Sequence, residues 1–281
     1  MKTTRIVLGL PWYSGPDVDS FPLYFEMLHY MGRVRERSLW FQQVAEHQEV
    51  LKGVSFSMAP LDPINEWGDA ELAEIGPEDG VFEFFIAKEV RMSLPGLARE
   101  RVVDMALSVG ADWLFMWDHD MLFSPATLMR LWRHQKPVVN ALAFTARDPI
   151  QPCLYRIIQG VDPNGSGTMF DSQAVWDFPR GKLITDEDVD GSLAFGAGVM
   201  LINMNVFRQM PKPWFNATGC GEDWFFCVRC HQVGIPRYCD TSMVVKHKKY
   251  AADWYDVNTY DQERLAKPEV YKKLMERTGA V

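Results

Sequence analysis

Five apolar residues, Trp113 to Trp117, run directly into Asp118-His119-Asp120, and Ser124 and Pro125 then open a segment with Leu128, Leu131 and Trp132 on one side. A run so short and so apolar predicts a strand buried on both faces. Serine at the N-cap and proline at the first helical position predict that a helix follows. A buried strand turning straight into a helix is the building unit of α/β sheets, where ligands sit outside the carboxyl ends of the strands. Asp118 and Asp120 stand at such an end, and residues two apart on extended backbone project to the same side.

Five further runs have the same character: Ile6 to Leu10, Val54 to Met58, Val138 to Phe144, Val199 to Ile202 and Val244 to Val245. All are read as strands buried on both faces. Between them the spacing predicts a helix over Gly96 to Val109, with Leu97, Val102, Met105, Ala106 and Val109 inward and Gly110 as the stop. A second helix is expected over Trp224 to Gln232, ended by Gly234. Residues 159–191 hold five glycines, two prolines and an acidic cluster, which predicts a long hairpin or loop insertion. A polar C-terminal flap, 251–281, includes a helix over Pro268 to Arg277. No repeat or linker interrupts the 281 residues. The expectation is one α/β domain, 1–250, with the flap packed on it.

Composition narrows the function. With 29 basic and 37 acidic residues the net charge is -8, which disfavours non-specific nucleic-acid binding. No apolar run approaches the ~20 residues of a membrane span. The N-terminal stretch Ile6 to Leu10 is shorter than the ~7 residues of a signal-peptide core, so a cytoplasmic protein is expected. Five cysteines, an odd number, point to reduced thiols. Cys227 and Cys230 fall within a predicted helix without a second pair, against structural zinc. Asp186, Asp188, Asp190 and Gly191 imitate the start of a calcium loop, but Ala197 stands where its bidentate glutamate belongs.

Paired carboxylates at a strand end suit Mg²⁺ or Mn²⁺, which take oxygen ligands and bind one or two protein carboxylates together with substrate phosphates. Solvated turn residues are the plainer reading of Asp118 and Asp120. The order of motifs resembles the GT-A glycosyltransferases: an N-terminal strand and loop, Ala98-Arg99-Glu100-Arg101 on a helix, Ala111 to Asp120, Phe195-Gly196-Ala197-Gly198-Val199-Met200, Gly221-Glu222-Asp223-Trp224, and Val244-Val245-Lys246-His247. One departure is Glu100, where many inverting members have asparagine after Ala-Arg.

The resemblance implies a Rossmann-like mixed sheet flanked by helices. It also implies a nucleotide-sugar donor, with Pro11, Trp12 and Tyr13 at its base and ribose and Arg99 and Asp118 also in the donor site. It places Gly196 and Gly198 beside the sugar, and Lys246 and Lys248 by the diphosphate. Asp118, Asp120 and His247 would hold the metal. Asp223, or next Glu222, would deprotonate the acceptor. Plainer alternatives stand beside each role: an aromatic turn at Pro11 to Tyr13, close strand packing for the glycines, an edge histidine at 247, and dipole stabilisation of the helix start by Glu222 and Asp223. An ordinary carboxyl pKa near ~3.9 and the helix N-terminus would keep Asp223 ionised.

The activity so implied is metal-dependent, inverting transfer of a sugar to an acceptor hydroxyl on a saccharide, lipid-linked glycan, protein or modified nucleic acid. Its rivals are a sugar-nucleotide nucleotidyltransferase, whose glycine-rich, arginine-containing loop is missing after Leu10, and a non-catalytic carbohydrate-binding protein stacking sugars on some of its ten tryptophans.

Overall fold

Along β1 (Thr3–Pro11), Ile6 to Leu10 are all buried, which only a strand covered on both faces allows. The computed structural model describes residues 2–11, 21–46, 74–89, 94–145, 147–161, 168–216, 221–248 and 254–278. The expected strand at 54–58, and Trp12 and Tyr13, lie outside the described residues. After β1 come α1 (Phe21–Glu46), β2 (Val81–Glu89), α2 (Pro95–Ser108), β3 (Trp113–Trp117), β4 (Met121–Phe123), α3 (Thr127–Arg133), β5 (Val138–Ala141), β6 (Leu154–Val161) and β7 (Thr168–Ala174). The chain continues through β8 (Leu183–Ile184), β9 (Ser192–Phe195), β10 (Val199–Asn203), α4 (Asn205–Gln209), α5 (Glu222–Gln232), β11 (Tyr238–Asp240), β12 (Val245–Lys248), β13 (Trp254–Tyr255), α6 (Val257–Ala266) and α7 (Pro268–Arg277).

Seven strands form a mixed sheet in the order β2-β1-β3-β10-β5-β11-β8. The pairs β2-β1, β1-β3 and β5-β11 are parallel, and β10 runs antiparallel between β3 and β5. Alternation along β3 divides its side chains between two cores. Leu114 and Met116 join Val7, Val102, Ala106 and Phe226 on one face. Trp113, Phe115 and Trp117 join Ile6, Leu8, Met27 and Leu131 on the other. Full burial of each such side chain contributes ~1.5–3 kcal/mol, so β3 is anchored from both sides and its carboxyl end is a fixed platform. This is the α/β fold that the alternation of strand runs and helices predicted, with the mixed sheet that the resemblance implied.

Four expectations need correction. In α2 the buried arc is Ala98, Arg99, Glu100, Val102, Val103 and Ala106, whereas Leu97 and Val109 are exposed. Two charged residues occupy the inner face because each has partners there, and apolar periodicity cannot register them. The helix after β3 begins at Thr127, since Ser124 forms a turn instead, its Oγ accepting from Ala126 N at 3.3 Å. Val244 is exposed, and β12 belongs to a small antiparallel sheet, β13-β12-β4, rather than to the buried one. The insertion contains the hairpin β6-β7, but β8 joins the main sheet and β9 pairs with β6, so residues 183–195 are woven into the fold.

The C-terminal helices pack through two buried tyrosines. Tyr260 Oη donates to Trp176 O at 2.9 Å and Tyr271 Oη to Ile150 O at 3.0 Å. Among the described residues, no helix is long and apolar enough to cross a membrane.

Candidate functional site

Beyond Trp117 the backbone turns sharply, Met121 N donating to Asp118 O at 3.1 Å while Asp118 N donates to Gly198 O at 2.9 Å. The turn is pressed against β10's approach: a Cβ on Gly198 would lie 2.5 Å from Met121 Cε and 3.2 Å from Cγ. Close packing therefore accounts for glycine at 198. At Gly196 a Cβ would find only ordinary contacts, 3.4 Å from Cys153 and 3.7 Å from Asp223 Oδ2.

Arg99 is the hub of the edge. Its side chain is 3% exposed, and Nη2 donates to Asp118 Oδ2 at 2.8 Å, while Nε lies 3.4 Å from both Glu222 Oε1 and Asp223 Oδ1. Burial disfavours its cation, but Asp118, Asp223 and Glu222 together raise the guanidinium pKa above its ordinary value. Two buried atoms, Arg99 Nη1 and Asp223 Oδ1, have no hydrogen-bond partner. The neighbouring Glu100 faces the other way and accepts from the amides of Trp214 and Phe215. The departure at this position thus ties α2 to the segment preceding α5.

Gly221, at φ 87°, lets the chain enter α5 with Glu222 and Asp223 in its first turn. Asp223 Oδ2 accepts from Ala197 N at 3.0 Å. Its carboxyl is pushed up to about 6, first by burial and then by Glu222 and Asp118, against the opposing pull of Arg99 and the Ala197 amide. Desolvation thus works against the helix terminus, and Asp223 stays largely ionised at neutral pH as expected.

His247 pairs in register with Met121 and so faces the turn. Nδ1 lies 2.7 Å from Phe144 O and Nε2 3.2 Å from Asp120 Oδ2. A carbonyl can only accept, so Nδ1 carries a proton. Burial would lower the imidazole pKa, but Asp120 and the Phe144 carbonyl raise it. Burial would likewise raise Asp120, yet His247 holds it below the usual carboxylate range. Asp118 engages Arg99 and Asp120 engages His247, and among the described residues no three His, Cys, Asp or Glu side chains are gathered as a metal cluster.

The lysines lie elsewhere. Alternation along β12 puts Lys246 on the face opposite His247, where it lines a separate cavity of about 430 Å³ with Leu122 and Arg130. Lys248 N donates to Asp120 O at 2.9 Å, and its ammonium stands 5.6 Å from the ring centre of Trp254. Pro11 ends β1 half-buried.

A cavity of about 470 Å³ opens beside Glu222 and Asp223. Gly196, Trp224, Arg147, Cys153 and Tyr155 line it together with Ser172 and Ala174 of β7 and Thr278. Burial pushes the Cys153 thiol up to about 12, so it is inert at neutral pH. Cys227 and Cys230 are free and buried in α5, and Cys227 Sγ donates to Phe195 O at 3.6 Å.

Sequence reasoning missed Arg147, Tyr155 and Trp224 as cavity residues and Glu100 as a clamp. Trp224 directly follows the Glu-Asp pair, which was a usable signal. Tyr155 had none, because only the pairing of β6 with β9 brings it to α5, and Arg147 lies ahead of β6 with no motif to mark it.

No protein-family model matches the chain, and no curated protein sequence matches it. Among solved structures, the chain is similar to A197 from STIV at 14% identity and a TM-score of 0.39, over 88% of this chain and 86% of that one. It is also similar to CMP:2-keto-3-deoxy-manno-octonic acid synthetase complexed with CTP, at 14% identity and a TM-score of 0.35, over 97% and 100% of the respective chains. Likeness at this level carries no argument about function.

Proposed function

We propose that the protein is a GT-A-type glycosyltransferase that moves a sugar, with inversion, from a nucleoside-diphosphate sugar to an acceptor hydroxyl. The observation that carries this reading is the single buried Arg99 joining Asp118, at the end of β3, to Glu222 and Asp223, at the start of α5. One end of that cluster adjoins the Asp120–His247 pair and the other opens on the cavity.

The donor types suit a divalent ion, although Asp118 is turned to Arg99 and the three side chains are not gathered as a cluster among the described residues. His247 has its Nδ1 proton fixed by the Phe144 carbonyl, which leaves Nε2 facing Asp120, donating to that carboxylate when protonated and able to ligate once that proton is lost. Two carboxylates and an imidazole suit Mn²⁺ or Mg²⁺. Asp118, Asp120 and His247 would hold it, and when bound it supplies Lewis-acid stabilisation of the departing diphosphate. Asp223 takes the acceptor proton as the new bond to the anomeric carbon forms. A carboxyl raised toward neutrality is a better base than an ordinary one and is still largely ionised at pH 7. Arg99 fixes that carboxylate in place. The half-buried Trp224 and the Thr278 side of the cavity limit water around the reacting sugar.

A thermal-shift screen of nucleotide-sugars with and without Mn²⁺ tests donor binding, since a ligand at a hundred times its Kd adds ~2.7 kcal/mol. Release of nucleoside diphosphate marks transfer, whereas pyrophosphate exchange marks a nucleotidyltransferase and neither marks a binding protein.

A further inference from the structure

The cavity beside Asp223 is lined by charges of both signs. Glu222 and Asp223 are its acidic groups, and the exposed Arg147 is its cation, with Gln151, Cys153 and Tyr155 also in the lining. Arg147 makes no ion pair among the described residues; its one hydrogen bond is from Nη2 to Gln151 Oε1 at 3.4 Å. Both charges act on the cavity lining: burial raises the Cys153 and Tyr155 pKa values, Asp223 raises them further, and Arg147 opposes that rise. The rings of Tyr155 and Trp224, both half-buried, line the same cavity. The volume, about 470 Å³, falls in the ~300–1,000 Å³ range of small-molecule sites.

Aromatic walls with hydroxyl and amide groups between them suit a sugar ring, whose apolar face stacks while its hydroxyls hydrogen-bond. The charges fix its direction. A neutral hydroxyl is tolerated and activated at the acidic groups, whereas an anion is repelled there and attracted to an unpaired guanidinium. We infer that this cavity seats an anionic saccharide, its reacting hydroxyl at Asp223 and its phosphate or carboxylate at Arg147. Its role as the acceptor rests on the transferase reading; the seat itself does not.

The test is isothermal titration of the full chain, without donor, against matched panels of neutral hexosides, hexuronates and hexose 1-phosphates. The expected result is that at least one anionic panel binds about tenfold more tightly than its neutral counterparts, because a hydrogen bond to a charged group is worth about that factor. Arg147→Gln should remove the preference while leaving residual binding of the sugar ring, and Trp224→Ala should weaken all panels together. The panel that responds separates phosphate from carboxylate. Equal binding of neutral and anionic sugars, no binding of any panel, or a preference unchanged in Arg147→Gln overturns the inference. Diphosphate release from a nucleotide-sugar with no anionic preference would sink the anion seat alone. An anionic preference without diphosphate release from any nucleotide-sugar would sink the transferase reading and leave the seat.

Discussion

Arg99 Nη2 lies 2.8 Å from Asp118 Oδ2, so a residue of α2 holds the carboxylate that ends β3 while its Nε faces the first turn of α5. Three elements that meet at the sheet edge are thereby locked through one guanidinium. Removing it leaves three carboxylates facing one another. Arg99→Met should lower stability by about 3 kcal/mol, the scale for breaking a buried ion pair, although the carboxylates open partly to solvent. Urea midpoints of the variant and the wild type at pH 7 measure this, and a loss below ~1 kcal/mol would mean that the cluster is not held through Arg99.

Asp223 gives a pH signature with a definite sign. Its folded pKa, about 6, exceeds the unfolded value, so between roughly pH 4 and 6 the folded chain binds more protons than the unfolded chain. Its contribution to stability therefore falls as pH rises through that window. In Asp223→Asn this component of the slope should vanish, as measured by denaturation at half-unit pH intervals. For turnover the ionised base is needed, so kcat should fall below about pH 6 in the wild type. An acid limb near pH 4 would remove Asp223 from that role.

Much of this architecture was legible beforehand. β1, β3, β5 and β10 are buried on both sides and announce themselves as apolar runs, and α7 has the expected bounds, Pro268 to Arg277. β2 escaped because Glu83 and Lys88 interrupt its apolar residues; Glu83 is at an edge and pairs with Arg5 at 3.0 Å. α6 escaped although Asp256 caps it, accepting from Asn258 N and Thr259 N, because its apolar face is narrow and buries only Tyr260. At the site, residue type marked Asp118, Asp120, His247 and Asp223. The pairing that organises them was hidden, since Arg99 and Asp223 are far apart in sequence and only the sheet order joins them.

Gly198 provides a packing test independent of chemistry. Gly198→Ala should cost about 1 kcal/mol or less, as mild overpacking does, because its Cβ would meet Met121 Cε, the flexible tip of that side chain, at 2.5 Å and Cγ at 3.2 Å. Met121→Ala in the same chain should make the glycine substitution nearly neutral, and a double-mutant cycle of unfolding free energies measures that coupling. Additive costs would mean that the turn does not press on residue 198.

The metal assignment predicts that Asp120→Ala folds normally, binds Mn²⁺ at least tenfold more weakly and loses turnover, since a cation held by few protein ligands cannot spare one. Titration of each variant with Mn²⁺, followed by the ion's electron paramagnetic resonance signal, reads binding without turnover. His247→Ala should weaken the same binding, whereas an unchanged isotherm would leave His247 as a structural partner of Asp120.

The central claim is inverting transfer with Asp223 as the base, and product stereochemistry reads it directly. With Mn²⁺, an α-linked nucleoside-diphosphate sugar and an acceptor, NMR of the product anomeric proton should show a β linkage in the wild type, and Asp223→Asn should slow its formation by ~10²-fold or more while donor binding is kept. An α-linked product, no glycosidic product with any donor, or undiminished transfer by Asp223→Asn would contradict it.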